Sequence, residues 1–209
     1  YGDHRDLHYP LRRQRQMCIR DRNIYFSLSL FLEKEDLSGL SIAIALSVSE
    51  VLTEFNVEAL IKWPNDLLVR NKKICGILIE SAKEDELTRV VIGIGLNVNM
   101  EYSELIDQKW TSIKLEKKQS IDRNLIIVEM INKLSSTLIK FEREEFGYFH
   151  EKFASLDLLK NKKFTLKESP DITYTGKGID SKGLLIAQNL KDQNIVKFSS
   201  GEVSLKLKK

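Results

Sequence analysis

The chain has 209 residues, 42% hydrophobic and 30% charged, enough for one sizeable core with a small appended domain. Its 33 basic and 30 acidic residues leave a net charge of only +3, too little to make nucleic acid an expected partner. Two cysteines, Cys18 and Cys75, exclude a disulfide framework. Cys75 sits in an apolar strand pattern where a buried thiol is usual, and a reducing cytoplasm is the expected compartment.

The first residue is Tyr1 rather than Met, so an incomplete N-terminus is expected. Residues 1–22 are dense in Arg and Gln and show neither strand alternation nor a helical stripe. Two readings are open: foreign sequence joined near Asp21 or Arg22, such as translated adaptor or a misassembled end, or a disordered basic arm. The Arg-rich start followed by Ile24-Tyr25-Phe26-Ser27-Leu28-Ser29-Leu30-Phe31-Leu32 imitates a signal peptide. Charged residues follow at once with no small-residue cleavage site, and the stretch is too short to span a bilayer, so it reads as a core strand.

Over residues 38–56, Leu40, Ile44, Val48, Val51, Leu52 and Phe55 fall on one helical face, with Asp36 or Ser38 as N-cap. Next come Leu60-Ile61, a Lys62-Trp63-Pro64-Asn65-Asp66 corner, the apolar run Leu67-Leu68-Val69, a charged turn over residues 70–73 and a strand over 74–80. Pro64 cannot donate to a ladder, so the corner should leave the sheet or lie at its edge. Gly76 within a strand allows another group to approach closely.

Residues 82–87 read as a charged turn and 89–99 as an apolar strand containing Gly93-Ile94-Gly95-Leu96-Asn97. An irregular connection over 102–120 carries Trp110. A helix over 120–142 shows the stripe Leu125, Val128, Ile131, Leu134, Leu138 and Phe141, started by Ser120 or Asp122. Phe146, Phe149, Phe153, Leu156 and Leu159 form a second helical pattern. Lys160-Asn161-Lys162-Lys163 is the expected domain boundary. Beyond it, turn chemistry at residues 168–171, 180–183, 191–194 and 199–201 separates short strands, the pattern of a small closed barrel.

The corner, the following Lys73 and the Gly76-Ile77-Leu78 strand together resemble the biotin–protein ligase family, whose hallmark is Lys-Trp-Pro-Asn-Asp at this spacing. The resemblance runs from about Asn23 to the C-terminus. It implies an α+β fold: a mixed sheet with packed helices over residues 23–160, like class II synthetases, then an SH3-like barrel over 161–209. It also implies a Gly/Arg-rich loop and a Thr-Asn segment upstream of Asn23. Neither is recognisable in residues 1–22, which favours the foreign reading of that segment.

The implied activity is ATP- and Mg²⁺-dependent formation of biotinyl-AMP, then transfer of biotin to a lysine of a biotin carboxyl carrier domain. Lys73 is the expected catalytic cation, offsetting charge that builds on phosphate beside a carboxylate. Without the resemblance, Lys73 would read as a solvated turn lysine like Lys72. Tyr25, Lys73 and Gly76 are the expected biotin contacts; Lys62, Asn65, Asn97 and Trp110 the expected nucleotide contacts; Asp66 the expected Mg²⁺ ligand. Adenine stacking on Trp110 would contribute about 1–3 kcal/mol.

Each of these has a plainer alternative. Lys62 can be a strand-edge charge, Asn65 and Asp66 turn formers, Asn97 a strand-end amide bonded to local backbone, Trp110 a loop anchor packed onto the body, and Tyr25 strand core. Trp63 reads as packing beside the site, and His4, His8 and His150 have no metal spacing. Rival functions are a lipoate–protein ligase-like enzyme and a non-catalytic biotinyl-adenylate binding or regulatory module. Neither nucleic acid nor membrane is expected to bind this chain; a homodimer is open. With residues 1–22 in place of the pocket elements, the 209-residue chain itself is expected to be poorly soluble and to ligate biotin weakly or not at all, both restored by a family-like segment ahead of Asn23.

Overall fold

The computed structural model describes residues 22–103, 106–144, 146–200 and 205–207. Cys18, His4, His8 and the expectations for residues 1–21 lie outside them.

Two five-stranded antiparallel sheets form the scaffold. The first has strand order β1-β5-β4-β3-β2, with β1 Ile24–Leu32, β2 Leu60–Lys62, β3 Asp66–Val69, β4 Lys72–Glu84 and β5 Leu87–Leu96. Parallel pairing on this sheet is confined to single bridges, Ile61 with Asp157 and Lys73 with Trp110. The second, order β10-β6-β7-β8-β9, contains β6 Lys163–Leu166, β7 Thr173–Ile179, β8 Leu185–Asn189, β9 Ile195–Phe198 and β10 Leu205–Leu207. The turn segments expected at 168–171, 180–183 and 191–194 fall between these strands.

Register fixes which residues share a face of the first sheet. Ile24–Leu96–Cys75, Phe26–Ile94–Ile77 and Leu28–Ile92–Ile79 form cross-strand rows on the core side. Tyr25–Gly95–Gly76 and Ser27–Gly93–Leu78 form rows on the other side. The core rows join one cluster with α1 Leu40–Glu54, α3 Arg123–Arg143 and α4 Gly147–Leu156. A fourth helix, α2 Ile113–Lys117, ends the connection after β5. No helix among the described residues is long and apolar enough to cross a membrane.

Several elements depart from expectation. β1 is a half-buried strand rather than a core strand: its serines and Tyr25 and Phe31 alternate onto the open side. The hairpin after the corner is longer than its charges suggested. β4 pairs as far as Glu84 with Leu87, because alternating charges on an exposed ladder are easily solvated, and Asp85 turns the chain at φ 54°.

The N-cap of α1 is neither Asp36 nor Ser38 but Gly39, at φ 79° with no side-chain cap. A Cβ there would lie 2.4 Å from the Phe146 ring, so close packing by α4 selects the glycine. In α3, Asp122 is the N-cap as expected and accepts from the Asn124 N–H at 2.9 Å. The buried stripe, however, is Ile126, Met130, Leu134, Leu138 and Phe141, leaving Leu125, Val128 and Ile131 exposed. Two apolar stripes overlap in that helix, and the i, i+4 set is the one that meets α1.

Candidate active site

The corner closes where Lys62 pairs with Asp66, with Trp63, Pro64 and Asn65 outside the ladder as Pro64 requires; the Trp63–Pro64 peptide is cis. Asn65 lies along β4: its Nδ2 donates to the Ile77 carbonyl at 2.7 Å and its own carbonyl accepts from the Ile77 N–H at 2.9 Å. Trp63 is buried, and its indole Nε1–H donates to the Gly183 carbonyl at 2.9 Å, tying the corner to the turn between β7 and β8.

The decisive local feature is a bulge. Leu67 pairs with Cys75 but Leu68 pairs with Lys73, so one extra residue is absorbed in β4. In a regular strand, positions three apart face opposite sides. The bulge buries Ile74 and Cys75 in succession and brings Lys73 and Gly76 to one side. A Cβ on Gly76 would sit 3.0 Å from both Cε and Nζ of Lys73, so the lysine lies in the space the glycine leaves. Lys73 Nζ pairs with Asp66 Oδ1 at 2.5 Å, with both side chains mostly covered.

Lys62 lies near this pair. Burial holds its ammonium below the ordinary lysine range, partly offset by the nearby Asp66 carboxylate, and its Nζ donates to the Leu205 carbonyl at 2.9 Å. Cys75 sits behind the pair, where burial pushes its thiol up to about 12, as expected of an inert core cysteine.

Two concavities meet at this pair. An open cleft of about 920 Å³ between the sheets includes Lys62, Asp66, Lys73, Gln108, Lys167 and Lys206 in its lining. A shallower depression of about 340 Å³ spreads over the open sheet face, floored by Gly76, Gly93 and Gly95 and flanked by Tyr25, Ser27 and Leu78. Asn65, Asp66 and Lys73 belong to both. The glycines leave backbone as the floor, so a flat ligand can lie close to the sheet. The lysines give the adjoining cleft a positive character that favours a polyanion.

The sequence-predicted residues divide accordingly. Tyr25, Lys62, Asn65, Asp66, Lys73 and Gly76 converge. Trp110 is half-buried, and its segment is bonded to β4 through backbone: the Lys73 N–H donates to the Lys109 carbonyl and the Thr111 N–H to the Lys73 carbonyl, each at 2.9 Å. Asn97 directs its side chain at backbone, donating from Nδ2 to the Thr111 carbonyl at 3.0 Å. His150, in α4, stands with its Nε2 2.9 Å from the Ile179 carbonyl at the end of β7.

Sequence reading missed Gln108, Lys167 and Lys206. Each stands in a segment of alternating polar residues, and only the packing of the second sheet against the corner distinguishes the lysines from their neighbours. Among the described residues, no three His, Cys, Asp or Glu side chains gather as a metal cage.

The sequence pattern of the Biotin/lipoate A/B protein ligase family matches residues 12–97. The bifunctional ligase/repressor BirA of Escherichia coli is 31% identical over 192 residues, covering 88% of this chain and 59% of that protein. The chain thus spans less than two thirds of the length of the curated BirA relatives it matches. A crystal structure of biotin protein ligase from Aquifex aeolicus superposes with a TM-score of 0.78 at 30% identity, covering 90% of this chain and 83% of that one. The same Aquifex protein in complex with biotin and ATP gives 0.77 at 32% identity, covering 90% and 79%.

Proposed function

Because this chain belongs to the biotin/lipoate A/B protein ligase family, we propose that it carries the catalytic and C-terminal parts of an ATP-dependent biotin–protein ligase. Such an enzyme joins biotin to AMP and passes the biotinyl group to a lysine of a biotin carboxyl carrier domain. The observation that carries this reading is Lys73, seated by the bulge in the space above Gly76 and paired with Asp66 where the two concavities meet.

In the first step, the biotin carboxylate attacks the α-phosphate of ATP and pyrophosphate leaves. Negative charge concentrates where the carboxylate meets the phosphoryl group, and a fixed ammonium at that point lowers the barrier. Lys73 supplies it, on a backbone held from both sides by the Trp110 segment. Biotin lies on the glycine-floored face beside Tyr25, and the triphosphate occupies the lysine-lined cleft. Asn65 orders the corner against β4, Asn97 orders the Trp110 segment, and Trp110 packs the adenine.

Mg²⁺ fits this site as an ion carried by the triphosphate, with Asp66, paired to Lys73, as the carboxylate that would hold it. It would neutralise phosphate charge there. In the second step, the acceptor lysine of the carrier attacks the acyl carbon of the mixed anhydride and AMP departs. This demands little beyond orientation and removal of one proton.

A cytoplasmic location suits the two thiols and the carrier substrate. The test is incubation of the intact protein with ATP, Mg²⁺ and labelled biotin or lipoate. Acid-labile adenylate and label transfer to a carrier domain are expected with biotin and not with lipoate. Adenylate from lipoate alone would overturn the substrate; none from either, with a family-like segment restored ahead of Asn23 as well as without it, would overturn the activity.

A further inference from the structure

We propose that Glu116 is a positioning residue that clamps the Trp110 segment against Lys73, so that the nucleotide platform and the catalytic cation are set by one carboxylate. The proposal deepens the ligase reading and rests on it for the roles of Trp110 and Lys73.

Among the described residues, the connection after β5 meets β4 at its start, where the Asn97 N–H donates to the Ile74 carbonyl, and again at one strand-like rung, the bridge of Trp110 to Lys73. One rung has none of the cooperativity of a ladder and holds only with outside support. Backbone bonds from Ile113 and Lys114 to the Asn97 and Val98 carbonyls hold the segment beyond the rung, and two side chains act on Thr111 itself. Asn97 donates to its carbonyl at 3.0 Å. From the other side, the Thr111 hydroxyl donates to Glu116 Oε1 at 2.6 Å. Thr111 is 1% exposed and the Glu116 side chain 12%, so this is a charge-assisted bond in a largely dry place, the stronger class.

The other carboxylate oxygen stands 3.7 Å from Arg70 Nη1, but Arg70 is 85% exposed and that pair contributes little. The bond to Thr111 is therefore what Glu116 is for. It is delivered by α2, whose N-cap Ser112 accepts from the Leu115 N–H and donates to the Met100 carbonyl, fixing the short helix beside the rung. Removing the carboxylate leaves a buried hydroxyl without its acceptor. The least costly repair is for the segment to swing out and hydrate it, carrying Trp110 away from Lys73.

The experiment compares Glu116→Ala, Glu116→Gln, Thr111→Val and the double variant Glu116→Ala/Thr111→Val in the intact protein. Glu116→Ala and Thr111→Val should each raise the KM for ATP about tenfold, with the KM for biotin nearly unchanged. Glu116→Gln keeps an acceptor and should stay within about threefold of the parent. The double variant should be no worse than the worse single one.

Independently of activity, acrylamide should quench tryptophan fluorescence of ligand-free Glu116→Ala more strongly than that of the parent. Trp63 is buried and contributes little to that signal. Parent-like KM and quenching in Glu116→Ala, a Gln variant as damaged as the Ala variant, or additive losses would each overturn the clamp. If the parent forms no adenylate, with a family-like segment restored ahead of Asn23 as well as without it, the ligase reading fails while the quenching comparison still decides the clamp.

Discussion

Across β1, β5 and β4, the two faces of the first sheet are built from the same strands and differ in almost everything else. On the core face, rows such as Phe26–Ile94–Ile77 and Leu28–Ile92–Ile79 pack against helices. On the open face, the matching rows are Tyr25–Gly95–Gly76 and Ser27–Gly93–Leu78, with Tyr25 58% and Leu78 62% exposed. One face is filled by volume; the other is hollowed by its absence. Stability and chemistry are thus separated by the pleat of a strand, a distance of one residue.

Adjacent substitutions sharpen the contrast. Ile77→Ala on the core face should cost about 2–5 kcal/mol in urea unfolding. Leu78→Ala, one residue on, should shift stability by no more than about 0.5 kcal/mol. Equal losses at both would show that the open face is covered.

Lys73→Ala should leave the urea midpoint in place and slow single-turnover adenylation by about a hundredfold or more. Near-normal adenylation would remove Lys73 from the centre of the mechanism. Gly76→Ala should be milder: the intruding methyl meets the flexible end of Lys73 rather than backbone, so the fold persists. Displacing the ammonium by part of an ångström should slow adenylation about tenfold, and a larger stability loss than rate loss would contradict this.

The smallest effect belongs to Cys75 behind the site. Its folded thiol is raised to about 12 from an ordinary 9.0, so the folded state keeps a proton that the unfolded state loses first. Its contribution is whole below pH 9 and declines as pH rises from there towards 12, by at most about 1.4 kcal/mol per pH unit. Cys75→Ala should flatten that part of the stability profile and leave its slope near pH 7 unchanged. A profile that declines equally in the variant would place the titration elsewhere.

Much of the site was legible because its signal is local. The Lys62–Asp66 corner announces itself through Pro64, and the resemblance to the ligase hallmark is what joins Lys73 to Gly76. Strand periodicity alone would have set those two on opposite faces. Only the bulge between Leu67 and Leu68 reunites them, and nothing in Ile74-Cys75 marks it. The stripe of α3 failed for a related reason: Leu125, Val128 and Ile131 satisfy the helical period as well as Ile126 and Met130 do. The choice depends on where α1 lies. Glu116 was invisible, because its partner Thr111 is reached through a short helix inside a stretch that reads as irregular. Asn97 was noticed as a polar side chain at a strand end, but not that its Nδ2 would donate to the carbonyl of Thr111 in the Trp110 segment.

The indole of Trp63, donating to Gly183, has a consequence for how the molecule comes apart. Gly183 turns at φ 80°, and a Cβ there would stand 3.0 Å from the Cα of Gly39, so the β7–β8 turn is wedged between the corner and the start of α1. The second sheet therefore seals the back of the corner. Detaching it uncovers a large aromatic ring, an indole N–H without an acceptor and the head of a core helix all at once. The two sheets should melt as a single thermal unit, and deuterium should reach the Trp63 indole no faster than it reaches the amides of β7 and β8.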